Sequence, residues 1–190
     1  MDFVADKYGK NTGFIYKSAD RKTKTEITYR KFREDLDAIG AYLISKGLKG
    51  KRIVVIGPNS YQWLAAYYAV VINVGVVVPL DKELPDGDLK GLATAAEVAC
   101  VFTTKKHQAM FEEMLKNHEG SMEYVVGMYT KPEEAGDVLS LEALIEEAMQ
   151  ASSSMWMERI FRASAPGMMA APGQMSRHWP QSTHFSSGML

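Results

Sequence analysis

Cysteine is nearly absent from this 190-residue chain: Cys100 stands alone, so neither an intrachain disulfide nor a cysteine-rich zinc site can form. It lies in the apolar run Ala99-Cys100-Val101-Phe102, where a thiol is expected to be buried and inert rather than nucleophilic. A reducing compartment fits this usage. An excess of one charge is lacking as well. The 22 Lys and Arg against 23 Asp and Glu leave a formal net charge of -1, which offers no electrostatic footprint for nucleic acid or an anionic membrane surface. No apolar run approaches the roughly 20 residues that a membrane-spanning helix needs. The longest candidate, Trp63 to Val78, is interrupted by Asn73 and Gly75. The first residues, Met1 to Tyr8, lack a basic stretch followed by an apolar core, so no secretory signal is read and the cytoplasm is the expected location.

Familiar catalytic motifs are also missing. No Gly-x-Gly-x-x-Gly follows a strand, which argues against a dinucleotide site, and no Gly-x-Ser-x-Gly supports a hydrolase elbow. Thr103-Thr104-Lys105 lacks the glycines of a phosphate-cradling loop and reads as an ordinary strand-to-helix turn; Ser152-Ser153-Ser154 has neither Gly nor Lys nearby. His178 and His184 have no third metal ligand at suitable spacing. His107 and His118 flank a helix and are expected to face solvent. The pairs Glu112-Glu113 and Glu133-Glu134 read as solvated surface, since neighbours on a helix point apart and the second pair falls in a loop. No catalytic, cofactor-binding or metal-ligating residue is therefore assigned.

What is present is a well-patterned first part, within an overall composition of 46% apolar and 24% charged residues that suits a globular protein. Phe14-Ile15-Tyr16 and Glu26-Ile27-Thr28 read as two short strands joined by the polar turn Ser18 to Lys22, a hairpin. Thr28 is a helix cap. Phe32, Leu36, Ile39 and Leu43 form the stripe of an amphipathic helix from Tyr29 to Ser45, and Gly47 supplies its left-handed stop. Arg52 to Ile56 is β-branched without polar alternation, as a strand buried on both faces of a parallel sheet should be. Pro58-Asn59-Ser60 ends it and starts a helix carrying Trp63, Tyr67, Val70 and Asn73 or Val74 on one side; Trp63 is expected in the core rather than in a pocket. Gly75 terminates that helix, and Val76-Val77-Val78 follows as a second buried strand, ended by Pro79.

Two buried strands separated by a helix imply a right-handed parallel crossover. A helix over Asp86 to Ala95, a strand over Val98 to Phe102, a helix over Lys106 to Asn117 and a strand over Glu123 to Gly127 continue the alternation. Leu139 to Met149 is one more helix, with Leu141, Leu144, Ile145 and Ala148 inward. The expected fold is thus α/β: a mostly parallel, doubly wound sheet flanked by helices, with an N-terminal hairpin. The pattern fails after residue 149. Residues 151–190 keep only Glu158, Arg159, Arg162 and Arg177 as charges, hold half of the twelve methionines and scatter Ser, Pro and Gly without period. Residues 1–149 are therefore expected to form the α/β unit, and 150–190 a disordered tail apart from a short turn in Met155 to Phe161.

The ordered set Thr28-Tyr29, Gly50-Lys51-Arg52, Asn59-Ser60 with Trp63, Ala69, Gly75 and Pro79-Leu80-Asp81 resembles the N-terminal subdomain of the AMP-forming acyl-CoA synthetases, most of all the bacterial long-chain fatty-acid CoA ligases. The similarity covers Tyr8 to Ala148. It implies a full-length parent that joins a fatty acid to ATP, releases pyrophosphate and transfers the acyl group to CoA, using magnesium. That family cradles ATP in a Ser/Thr/Gly-rich loop followed by Lys, and later supplies a Thr-Glu pair, a ribose-binding Asp and a mobile Lys. None is found in this chain, so ATP, magnesium and CoA are expected of the parent and none of them here.

Two readings follow. In the first, the chain is a truncated, inactive fragment of such a ligase, with residues 150–190 foreign to the family; a subdomain that packs on another in its relatives would then expose an apolar face and self-associate. The alternative is a non-catalytic α/β binding or interaction module. Its ligand would lie beyond the carboxyl ends of the strands, where Gly57-Pro58-Asn59-Ser60 and Pro79-Leu80-Asp81 would line the crevice.

Overall fold

A computed structural model describes residues 1–17 and 23–152. The hairpin turn Ser18 to Lys22 and residues 153–190, with the Met155 to Phe161 turn, His178 and His184, lie outside the described residues. The chain opens with a short helix α1 (Asp2–Tyr8), which buries no residue of its own and was not expected from the sequence. Strands β1 (Thr12–Lys17) and β2 (Lys24–Thr28) then pair antiparallel, as the hairpin reading requires.

Thr28 ends β2 and caps α2 (Tyr29–Ser45): its hydroxyl accepts the Lys31 N-H at 3.2 Å, satisfying one of the donors a helix start leaves free. The predicted stripe of Phe32, Leu36, Ile39 and Leu43 is buried. At the other end Leu48 N-H donates to the Leu43 carbonyl and Gly47 N-H to that of Ile44. Gly47 takes φ +79 there, a left-handed conformation that glycine tolerates best. The chain is thereby turned into β3 (Arg52–Ile56), in which every residue after Arg52 is buried.

Ser60 repeats the capping device for α3 (Tyr61–Ala69), accepting the Trp63 N-H at 3.1 Å. The helix does not run unbroken to Gly75. Val70–Val74 form a π turn, closed by Gly75 N-H donating to the Val70 carbonyl at 3.0 Å. The remaining elements are β4 (Val76–Leu80), α4 (Asp86–Ala95), β5 (Val98–Thr103), α5 (Lys105–Lys116), β6 (Tyr124–Gly127), a 3-10 turn at Pro132–Glu134, β7 (Leu139–Ser140) and α6 (Leu141–Ser152). The last helix starts two residues later than its apolar pattern suggested. Ser140 is held in strand pairing opposite Gly127, and its hydroxyl accepts the Ala143 N-H at 3.4 Å.

All five strands from β3 to β7 are parallel, in the order β4-β3-β5-β6-β7. Helices α2, α3 and α6 cover the face presenting Ile53, Val55, Phe102 and Val126; α4 and α5 cover the face presenting Val54, Ile56, Val101 and Val125. Each such aliphatic side chain contributes about 1.5–3 kcal/mol by leaving water. β5 carries a bulge: Arg52 pairs with Val98 but Ile53 with Cys100, so Ala99 is the extra residue and both Ala99 and Cys100 join the α2 side.

One strand departs from its expected environment. β4 is the sheet edge, paired only with β3, and Val76 is 55% exposed where burial on both faces was anticipated. Pro79 sits inside β4 opposite Val55 rather than ending it. An edge strand has a side where no ladder bond is required, so the missing N-H of proline is tolerated there.

A polar cluster and cleft at the carboxyl ends of the strands

The strand order reverses between β3 and β5, whose following helices depart to opposite faces, which is where doubly wound sheets open a crevice. Here that point is filled. A Cβ built on Gly57 would lie 2.8 Å from Thr104 Cγ2 and 2.9 Å from Met128 Cε, so side chains from the β5 and β6 ends already occupy the gap. Pairing of Ile56 with Leu80 does bring the expected crevice segments, Gly57 to Ser60 and Pro79 to Asp81, to neighbouring strand ends. The open space lies elsewhere.

A cleft of about 700 Å³ opens between the hairpin, the starts of α2 and α3, the segment after β6, and α6. Its floor is apolar, formed by Ile27, Ala65, Met128, Leu141, Ile145 and Met149. On one wall sits Asp35, a carboxylate with a side chain only 5% exposed. Its Oδ1 accepts from Lys31 Nζ at 2.6 Å and its Oδ2 from the Tyr61 hydroxyl at 2.5 Å. Burial, then the hydrogen bond to the Asp35 carboxylate, push the Tyr61 phenol above its ordinary range. The Tyr61 ring is held from three sides, by Tyr16 stacked at 5.7 Å, Phe14 at 5.5 Å and Phe32 at 5.8 Å between centroids. Hairpin, α2 and α3 therefore meet on one phenol.

Neither Asp35 nor Tyr61 was singled out from the sequence. Asp35 stands four residues before Ile39 and seven before Tyr42, on the inward side of α2, and a charge at such a position is the signal of a satisfied buried group. His107 likewise departs from expectation. It is 2% exposed, not solvent-facing: Nδ1 lies 3.0 Å from Asp86 Oδ1 and Nε2 3.0 Å from the Lys82 carbonyl. The first turn of α5 tucks under the segment that leads from β4 into α4, which sets an oxygen 3.0 Å from each ring nitrogen. His118 is exposed, at φ +54 just beyond α5. Trp63 is half-buried against the core, stacked on Tyr67 at 5.2 Å, away from the cleft.

The Thr103-Thr104-Lys105 turn is engaged within the fold. The Thr103 side chain is buried and donates to the Thr104 carbonyl, while Lys105 Nζ is engaged by Glu134 at 2.7 Å. Among the described residues, no group of three or more His, Cys, Asp and Glu is placed to hold a metal ion. The Cys100 thiol, fully buried, is pushed up by that burial, away from nucleophilic use. No helix among the described residues is long and apolar enough to cross a membrane.

The AMP-binding enzyme family matches residues 2–171. The chain belongs to this family. The matched residues run past the change of sequence pattern at residue 149. Among curated relatives, the dimodular nonribosomal peptide synthase of Bacillus subtilis is 26% identical over 91 residues, 47% of this chain and 4% of that protein. The tenellin synthetase of Beauveria bassiana is 25% identical over 133 residues, 67% of this chain and 3% of that protein. An anthranilate CoA ligase solved with anthranoyl-AMP superposes with a TM-score of 0.63 at 15% identity, over 77% of this chain and 26% of its own. A protein assigned as a long-chain-fatty-acid CoA ligase from Rhodopseudomonas palustris superposes with a TM-score of 0.63 at 14% identity, over 75% and 34%. Such identities speak to the fold. The chain thus spans a small fraction of its curated relatives and between a quarter and about a third of these solved ligases.

Proposed function

We propose that this chain forms the N-terminal α/β part of a ligase that activates a carboxylate with ATP and passes the acyl group to CoA, the carboxylate being a fatty acid. The observation that carries this reading is the family match over residues 2–171 together with a five-stranded parallel sheet that superposes on two CoA ligases. The fatty-acid assignment rests on the ordered residues from Thr28 to Asp81; one structural neighbour is instead an anthranilate CoA ligase, so an aryl acid is the competing substrate class.

In this reading the chain by itself contributes scaffold. Its 190 residues contain no glycine-rich loop followed by Lys to neutralise charge that develops during adenylation, and Lys105 is held by Glu134. ATP–pyrophosphate exchange with palmitate, octanoate or anthranilate is expected to be absent for the purified chain. Exchange above background with any of the three would overturn the scaffold role, and exchange with anthranilate alone would overturn the fatty-acid assignment.

A further inference from the structure

The net charge of -1 conceals an uneven distribution. Residues 1–33 hold nine Lys and Arg but only four Asp and Glu, so the N-terminal part is basic and the remainder acidic. The same part carries the two most exposed large apolar side chains among the described residues, Phe3 at 68% and Ile15 at 58%. Phe14 and Tyr16 turn toward the core, so the alternation along β1 points Ile15 and Lys17 outward. Lys17 stands across the strands from Lys24, a like charge that Glu26 already takes up. On α1, Lys7 Nζ lies 5.4 Å from the centre of the Phe3 ring and 5.2 Å from that of Tyr8. The base of the hairpin joins the two elements: the Tyr29 ring lies against Gly13, 3.0 Å from where a Cβ would stand, and the Arg30 guanidinium against Gly9, at 3.3 Å. Lys7, Lys10, Lys17 and Arg30 make no ion pair with any described residue. Of the described carboxylates in this stretch, Asp2 is held by Arg33 and Glu26 by Lys24, which leaves Asp6 alone without an ion pair.

We propose that α1 and the outward face of the hairpin dock the chain on an anionic lipid bilayer. Phe3 and Ile15 enter the boundary between headgroups and acyl chains, while Lys7, Lys10, Lys17 and Arg30 lie beside the acidic headgroups. Exposed hydrocarbon among free cations meets both requirements of interfacial binding: apolar area leaves water, and each basic side chain gains from the negative surface potential. Four free cations against one free carboxylate give the surface its sign, so charge complementarity favours an acidic bilayer over a neutral one. A nucleic acid would engage the cations but leave Ile15 in water, since an aliphatic side chain offers no ring on which a base can stack. The docking is peripheral and goes beyond the ligase reading.

The test floats the full 190-residue chain with lipid vesicles through a density gradient, in which aggregated protein sinks. At low ionic strength the chain should float with mixed phosphatidylcholine and phosphatidylserine vesicles, bind phosphatidylcholine alone at least tenfold more weakly, and be released by added salt. Lys10→Gln with Lys17→Gln, and separately Phe3→Gln with Ile15→Thr, should each lower the affinity for the mixed vesicles at least fivefold without moving the thermal midpoint, since all four side chains are exposed. A control that removes two exposed cations elsewhere, Lys116→Gln with Lys131→Gln, should leave the affinity within twofold. Failure to float with the mixed vesicles, equal binding to phosphatidylcholine alone, or equal loss in the control would each overturn the proposal. Full vesicle affinity in the Phe3 and Ile15 variant, with duplex DNA bound through the same lysines, would assign the surface to nucleic acid and overturn it as well. None of these results bears on pyrophosphate exchange, so the two readings fail separately.

Discussion

The Tyr61 hydroxyl donates to Oδ2 of Asp35, joining the first turn of α3 to the inner face of α2 through a carboxylate that water scarcely reaches. Lys31, one turn earlier on α2, satisfies the other oxygen. The arrangement leaves the buried charge paired on both sides, which makes its removal costly from either end.

Tyr61→Phe takes away one donor and leaves Oδ2 unmet. A hydrogen bond to a charged group is worth about 1.5–3 kcal/mol, and a loss of that size in the urea unfolding free energy is expected. A change within about 0.5 kcal/mol, the scatter typical of neutral surface substitutions, would show that the bond adds nothing to the fold.

Alkaline pH should destabilise the protein through three groups. The Tyr61 and Tyr42 phenols and the Cys100 thiol are all raised in the folded state, chiefly by burial. Their contributions are complete below the unfolded values, roughly 8.5 for Cys and 10 for Tyr, and are lost as pH rises beyond them, because the unfolded chain releases protons that the folded chain retains. Stability should therefore decline from about pH 8.5 upward. Cys100→Ala should remove the earlier part of the decline and Tyr61→Phe should reduce the later part, to which Tyr42 also contributes; identical slopes in all three proteins would refute the assignment.

Gly40 on α2 meets Asn73 of the π turn so closely that an added Cβ would lie 2.7 Å from the Asn73 Cβ. Asn73 in turn donates Nδ2 to the Leu36 carbonyl at 3.3 Å. Gly40→Ala should cost about 1–3 kcal/mol by overpacking. Combined with Asn73→Gly, which removes the Cβ that the new methyl would meet, it should cost less than the sum of the single changes, as neighbours that clash are non-additive. Strict additivity would place the strain elsewhere.

His107→Ala should loosen the loop that the ring supports. Amide exchange in Lys82 to Asp86 is expected to accelerate while the β3 and β5 amides keep their protection, because the ring bonds to Lys82 and Asp86 and to nothing in the sheet centre. Unchanged exchange in that loop would mean that the histidine merely fills space.

The parts of the fold that could be read in the sequence were those where one residue does one job. Thr28 and Ser60 cap helices, Gly47 stops one, and the β-branched run Ile53 to Ile56 could only be a buried strand. Val76-Val77-Val78 looked the same as that run, yet composition along a strand carries no information about whether a neighbour lies on both sides. Pro79 was the available clue to an edge. The cleft was illegible for a related reason. Its walls come from residues as distant in sequence as Tyr16, Tyr61 and Ile145, and no local period reports on which of them the sheet order will bring together.

The position of β3 also bears on how the chain folds as it is made. It is the first strand of the parallel sheet to be synthesised, and it ends between two partners that both come later in the chain. Until β4 and β5 arrive, an apolar ribbon must wait with both hydrogen-bonding edges open, and such non-local pairing is slow to form. The hairpin and α2, already complete by then, can shield Ile53 and Val55 on one face. Nascent chains arrested just after Ile56 should thus depend on chaperones far more than chains arrested beyond Thr103.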